Sequence, residues 1–483
     1  MMFPLDIQAK KSPDSPALFW QDKQYSFAEI LKLVMQYSSF IGGRLKGNPK
    51  RIALLAEPSD KWIFTALATW RMGCTLIPLS TSWTESEVQE AITLTTPDII
   101  IHSENISTSS MMVKTLLLPD ITEVESEPNG LLELELGFNP DFKALIIFTS
   151  GSTGIPKRVV LEWQSLIKHA EMSENHLRYS AEDRWMICLP LHHIGSISTL
   201  IKSIVTGLSA ILEPCFDAGQ IHKSIEHHKA TILSLVPTML QRLVDCSDEA
   251  PIPPSVRSIL IGGGHIPPKL MLTDDRLLAT YGMSEAGSQI TTVLLDSPVE
   301  IRLTSGLPLP GVKIRIVDED NIIVNTGEQG EILVNSPAMF CGYDRDTQLT
   351  SETIHEGWLR SGDCGSLDKN GALTIYSRRS DRIISGGENI DPAEVENALL
   401  DTGGVKDVKV FSLPDEAWGQ SVVAAIIPEQ GFYLNSTELE LSLKKRLSSF
   451  KVPQRWFFVN KFPLLAVGKI DLNRLREMFE SKK

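Results

Sequence analysis

The chain has 483 residues, and its 46 Lys plus Arg against 60 Asp plus Glu leave a formal charge of −14, which argues against nucleic acid as the main partner because phosphate backbones select basic surfaces. The length predicts roughly two to four domains or subdomains with ample core, and 42% hydrophobic with 22% charged residues excludes wholesale disorder. Six cysteines without a C-x-x-C pair exclude a zinc ribbon and a disulfide framework. The N-terminus lacks a signal-peptide pattern, and the apolar-rich stretch 194–212 is broken by Gly195, Lys202 and Gly207. No membrane span is expected, and the default is a cytoplasmic enzyme.

In chain order, short β-rich runs at 51–57, 143–150, 184–191, 230–237 and 255–264 alternate with helical patterns at 60–72, 161–175 and 237–246. Strands alternating with helices predict an α/β fold with parallel-rich sheets covered on both faces. From about residue 311 the runs 312–317, 330–336 and 373–377 are separated by turn-rich segments, which predicts a small antiparallel, barrel-like subdomain over about 300–379. Past the polar stretch 377–382, a helix at 392–400 opening on Pro392, strands at 408–413 and 422–428, and a helix at 436–450 predict a small α+β unit. The expected division is an N-terminal domain, 1–379, and a mobile C-terminal domain, 380–483, meeting near Ser380.

The most informative segment is Thr149-Ser150-Gly151-Ser152-Thr153-Gly154-Ile155-Pro156-Lys157, directly after the run at 143–148. Small residues let backbone N–H groups approach phosphate oxygens, hydroxyls add hydrogen bonds, and Lys157 adds positive charge. A P-loop NTPase is excluded on spacing, because two residues instead of four separate Gly151 from Gly154 and Lys157 does not directly follow the second glycine. Taken for composition alone, the segment reads equally well as a flexible Gly/Ser/Thr loop.

The whole nonapeptide resembles the signature of the acyl-adenylate-forming superfamily, and companions follow in order along nearly the full chain. Gly262-Gly263-Gly264 resembles the segment that lies against adenine. In Tyr281-Gly282-Met283-Ser284-Glu285, the resemblance implies that Tyr281 stacks on adenine, that Ser284 (Thr in most of the family) touches phosphate, and that Glu285 holds Mg²⁺. Asp363, in Trp358-Leu359-Arg360-Ser361-Gly362-Asp363, matches the acceptor of both ribose hydroxyls, a role suited to an acceptor-only carboxylate. Arg378 matches a second ribose and phosphate contact, Gly387 lies in the loop that reaches the thiol site, and Lys469 matches the lysine at the reacting carboxylate and α-phosphate. Ser380 stands at the hinge, and Leu465 stands where the family often has a hydroxyl residue. Singly, Glu285 reads as a helix-start carboxylate, Asp363 as a turn residue, Arg378 as an exposed linker charge and Lys469 as a tail lysine; the ordered set carries the assignment. A hydrolase elbow fails, since Gly282-Met283-Ser284-Glu285-Ala286 ends in Ala, and the pairs His192-His193 and His227-His228 lack zinc spacing.

The resemblance implies an ATP- and Mg²⁺-dependent ligase that joins a small-molecule carboxylic acid to coenzyme A through an acyl-adenylate. His193, in Leu189-Pro190-Leu191-His192-His193, matches the histidine that gates the acid tunnel. Lys202 interrupts a largely apolar helical segment, where a buried cation is costly unless an anion meets it; a snorkelling lysine is the plainer reading. A basic residue nine positions after the tunnel histidine resembles the o-succinylbenzoate–CoA ligases of menaquinone synthesis, where it meets the substrate's second carboxylate. Another aryl- or medium-chain acyl-CoA synthetase, an adenylation enzyme loading a carrier protein, and a non-catalytic homologue stand as alternatives. Nothing in the pattern specifies an oligomeric state.

Overall fold

Residues 2–44, 51–106, 113–120, 140–149, 156–246, 252–264, 266, 270–378, 383–385, 388–415, 418–465 and 469–480 are described by a computed structural model. The alternating apolar runs build two large sheets. The first has nine strands, and six of them run parallel in the order Leu277–Met283, Ser258–Ile261, Ile232–Leu235, Arg184–Ile187, Ser209–Leu212, Pro16–Trp20. Antiparallel strands close its edges, Lys23–Ser26 on one side and Ser288–Thr292 with Leu307–Pro308 on the other.

The second sheet has seven strands, with Lys143–Thr149, Thr75–Pro78, Arg51–Leu55, Ile99–His102 and Thr115–Leu117 parallel and Lys157–Glu162 and Gly342–Tyr343 added antiparallel. Thr75–Pro78 and Ile99–His102 are buried at every position and, apart from the terminal Thr75 and His102, are apolar throughout, as strands covered on both faces are. The helix Asp60–Arg71 starts where the Ser59 side chain accepts from Trp62 N, and its Trp70 indole donates to the Ala144 carbonyl at 2.9 Å.

The helix expected at 161–175 begins two residues later, as Trp163–Leu177. Residues Lys157–Glu162 are instead a strand, paired back onto Lys143–Thr149 with Thr149 opposite Lys157. The β-branched Val159 and Val160 favour this pairing.

Five antiparallel strands (Lys313–Val317, Gly330–Asn335, Ile354–His355, Trp358–Leu367 and Leu373–Arg378) form the smaller sheet expected after residue 311. Beyond it, Asp391 caps the helix Pro392–Leu400 by accepting from Ala393 N at 2.9 Å. Strands Val405–Asp415, Gly419–Pro428 and Arg455–Phe458 share a separate core with this helix and with Ser436–Lys444, built on Val395, Leu399, Val422, Leu439 and Leu443. The helix expected at 436–450 ends early, and a short 3₁₀ turn, Ser449–Lys451, follows. No helix among the described residues is long and apolar enough to cross a membrane.

Candidate active site

Strand ends of both large sheets meet at an open cavity of about 1480 Å³. Thr149 and Lys157 reach it from the hairpin, Gly262 and Gly263 from the end of Ser258–Ile261, and Gly282, Met283, Ser284 and Glu285 from the end of Leu277–Met283. His193 and Lys202 enter from the helix Ile194–Thr206, and Lys469 from the C-terminal part. Residues far apart in the chain thus face one space because parallel strands present their carboxyl ends together. Gly264 does not line it, and a Cβ there would meet Pro237 at 3.6 Å; Ser150, Gly151, Ser152, Thr153, Gly154, Ser380 and Gly387 lie outside the described residues.

Two glycines are dictated by close approach. A Cβ on Gly282 would fall 1.9 Å from the Ser288 carbonyl oxygen, so only glycine lets Leu277–Met283 lie against Ser288–Thr292 here. Gly263 has φ +77°, and a Cβ there would lie 3.1 Å from Cε of Lys469, which occupies that space.

Tyr281 and Asp363 sit beside the cavity as a pair: the phenol donates to Oδ2 of Asp363 at 2.7 Å. The cavity reaches their neighbours, Gly282 and Gly362. Arg378 lies directly across from Asp363 in the strand pair Trp358–Leu367 and Leu373–Arg378. An aromatic ring, a carboxylate and an arginine position therefore converge at one end of the cavity.

Glu285 is buried and faces the same space, and Tyr343 donates to its Oε1 at 2.9 Å. Among the described residues no cluster of three or more His, Cys, Asp or Glu forms a metal cage. A single carboxylate suits Mg²⁺, which keeps several waters and is held jointly by protein and phosphate oxygens. His193 stands at the helix N-cap, and its pKa is pushed down to about 3, first by burial, then by His192 and Lys469. The imidazole is therefore neutral at physiological pH.

Lys202 is buried, with Nζ donating to Oε1 of Gln289 at 2.6 Å and lying 4.5 Å above the Trp185 ring. Gln289 is itself fixed, because Ser173 donates to the same oxygen, its side-chain nitrogen donates to Thr292, and its backbone N–H donates to Nε2 of His169. Burial lowers the Lys202 pKa to about 7. Ser198, one turn earlier on the helix, and Ser288 also line the cavity and share a hydrogen bond of 3.3 Å.

Two family models cover this architecture, "AMP-binding enzyme" over residues 5–344 and "AMP-binding enzyme C-terminal domain" over 394–469. The chain belongs to the AMP-binding enzyme family. Among its relatives, the 2-succinylbenzoate–CoA ligase of Enterococcus faecalis is 32% identical over 476 residues, covering 97% of each chain. That of Bacillus pumilus is 31% identical over 481 residues, covering 97% of this chain and 96% of its own. The o-succinylbenzoate CoA synthetase of Bacillus subtilis, solved with its acyl-adenylate intermediate, superposes with a TM-score of 0.87 at 30% identity over 98% of this chain and 97% of its own.

Within the AMP-binding frame, the motif residues came from the sequence, whereas Tyr343, Trp185 and Ser198 did not. Tyr343 lies 58 residues from Glu285 in the chain, and folding alone brings its hydroxyl to that carboxylate. Gly342, with φ +134°, is the one local sign of an unusual backbone before it.

Proposed function

We propose that this AMP-binding enzyme is an ATP-dependent o-succinylbenzoate–CoA ligase, making the thioester for menaquinone synthesis through an acyl-adenylate. The observation that carries the substrate is Lys202. Its amine is buried at the cavity wall with a neutral amide as its hydrogen-bond partner, among the described residues no carboxylate pairs with it, and its lowered pKa shows what carrying the charge there costs. A buried cation without an anion is unfavourable on its own, and an acid with a second carboxylate would complete the pair. A monocarboxylic acid would leave it unmet.

The reacting carboxylate attacks the α-phosphorus of ATP in line, and pyrophosphate leaves. Lys157 and the hydroxyls of Thr149 and Ser284 cradle phosphate, Tyr281 with Gly262 and Gly263 flanks adenine, and Asp363 with Arg378 holds ribose. Lys469 brings positive charge to the forming bond, so the protein acts by orientation and preorganised charge rather than as a nucleophile. Glu285 would hold Mg²⁺, which when bound neutralises phosphate charge. Neutral His193 lines the acid entrance. The domain spanning 380–483 then turns about Ser380, withdraws Lys469 and presents the loop at Gly387, and the CoA thiolate attacks the acyl carbon to expel AMP. The cytoplasm, which supplies ATP and CoA, is the proposed location.

Acid-dependent ATP–pyrophosphate exchange tests this reading, with o-succinylbenzoate, benzoate, a medium-chain fatty acid and an amino acid as the panel and CoA added afterwards. Exchange with o-succinylbenzoate, converting to thioester on CoA addition, is expected. Exchange with benzoate or the fatty acid in its place would discard the substrate while keeping the ligase chemistry.

A further inference from the structure

The strand Gly342–Tyr343 is fastened unusually well for two residues at a sheet edge. Tyr343 pairs with Val159, two residues from Lys157, and its N–H donates to Oγ1 of Thr350 at 2.9 Å. On one side, the N–H of Phe340 donates to the backbone carbonyl of Glu285 at 2.8 Å. On the other, the Asp344 carboxylate takes two hydrogen bonds from Arg51, at 2.7 and 2.9 Å, while its carbonyl accepts from the Arg158 guanidinium at 3.0 and 3.1 Å. The Tyr343 ring packs edge-on against Phe340, with centroids 5.0 Å apart. The ring therefore has little freedom to drift.

From that seat Tyr343 addresses two groups. Its hydroxyl donates to Oε1 of Glu285 at 2.9 Å, and Nζ of Lys157 lies 5.4 Å from the centroid of its ring. A donor on one carboxylate oxygen fixes the plane of the group and leaves the second oxygen to point elsewhere. A ring face under an ammonium holds the charge where bulk water alone would let it roam. Charge of opposite sign is thus set at the hydroxyl edge and over the face of one aromatic ring.

We propose that Tyr343 is a positioning residue that sets the metal-binding carboxylate of Glu285 with its hydroxyl and the phosphate-binding ammonium of Lys157 with its ring. The proposal rests on the reading that Glu285 holds Mg²⁺ and Lys157 meets phosphate, and it separates into two effects that substitutions can tell apart. Tyr343→Phe keeps the ring beneath Lys157 and removes only the hydroxyl. Tyr343→Leu removes both.

The test is calorimetric binding of ATP to the full chain at a series of Mg²⁺ concentrations and with the metal chelated, alongside thermal melting of each variant. For Tyr343→Phe, the half-saturating Mg²⁺ concentration should rise by about 10-fold, the scale of lost outer-shell hydrogen bonds at metal sites, while metal-free ATP affinity stays within about twofold. Tyr343→Leu should weaken ATP binding with the metal chelated as well. Phe340→Leu, which keeps the phenol but removes the ring packed edge-on against it, should shift Mg²⁺ dependence in the same direction by less, and it serves if Tyr343→Phe does not fold. Unchanged Mg²⁺ dependence in Tyr343→Phe, while Glu285→Gln loses it, would overturn the positioning role and spare the reading beneath it. Unchanged Mg²⁺ dependence in Glu285→Gln would overturn both.

Discussion

Lys202 shows how much one side chain can decide. Burial opposes the charge of an ammonium, and among the described residues the protein meets it with an amide oxygen and an indole face. Lys202→Ala should therefore lower kcat/KM for o-succinylbenzoate by roughly 10- to 100-fold, the worth of a hydrogen bond to a charged group, and change ATP affinity little. Equal loss with benzoate would remove the proposed role. The pH dependence has a definite sign. The folded pKa of about 7 lies below the ordinary 10.5, so between those values the unfolded chain holds the extra proton and stability from this group rises with pH. The groups facing it do not reverse this, since the buried His169 has its own pKa lowered by burial and by Lys202 and stays neutral. Lys202→Met should melt above wild type at pH 6, with the gap narrowing by pH 9. A gap that stays constant across that range would show that the amine is not buried as a charge.

Pairs of elements, rather than single elements, make the site. The hairpin joining Lys143–Thr149 to Lys157–Glu162 sets Thr149 opposite Lys157, so the loop between them starts and ends at the cavity. The antiparallel contact of Leu277–Met283 with Ser288–Thr292 does the same for two functions at once. One strand ends in Gly282 to Glu285 at the proposed nucleotide site, and the other carries Ser288 and Gln289 at the proposed acid site. Gly282→Ala would force the strands apart, because its Cβ meets the Ser288 carbonyl and not a flexible side chain. A loss of more than about 2 kcal/mol in a denaturant melt is expected, together with weaker binding of both ATP and the acid. Wild-type stability with both affinities intact would show that the strand contact is not what aligns the two sites.

At the level of the whole molecule, Lys469 reaches Gly263 from a chain segment that also joins the rest of the protein through the Lys406–Asp245 ion pair at 3.2 Å. Both partners of that pair are half exposed, so it is worth about 1 kcal/mol at most. Under the proposed domain alternation, Lys469→Ala should cut acid-dependent pyrophosphate exchange by roughly 10²- to 10³-fold, as loss of a preorganised charge does. The same variant should still convert supplied acyl-adenylate and CoA to thioester. Loss of both half-reactions would argue against a lysine that serves only the first.

The amino-acid sequence by itself determined the class of fold and the residue types of the nucleotide site, because β-run periodicity, turn residues and short motifs are local and survive without knowledge of neighbours. It also marked Lys202, since a cation within an apolar helical stretch stands out in one dimension. Tertiary structure alone decided that residues 161–162 end a strand and do not start the helix, since a short apolar run takes its conformation from the partner it pairs with. It alone showed that Lys202 turns inward onto Gln289 and Trp185 and that Tyr343 clasps Glu285 across 58 residues. Which way a side chain points, and what it meets there, depends on the packing of distant strands, and no local pattern carries that information.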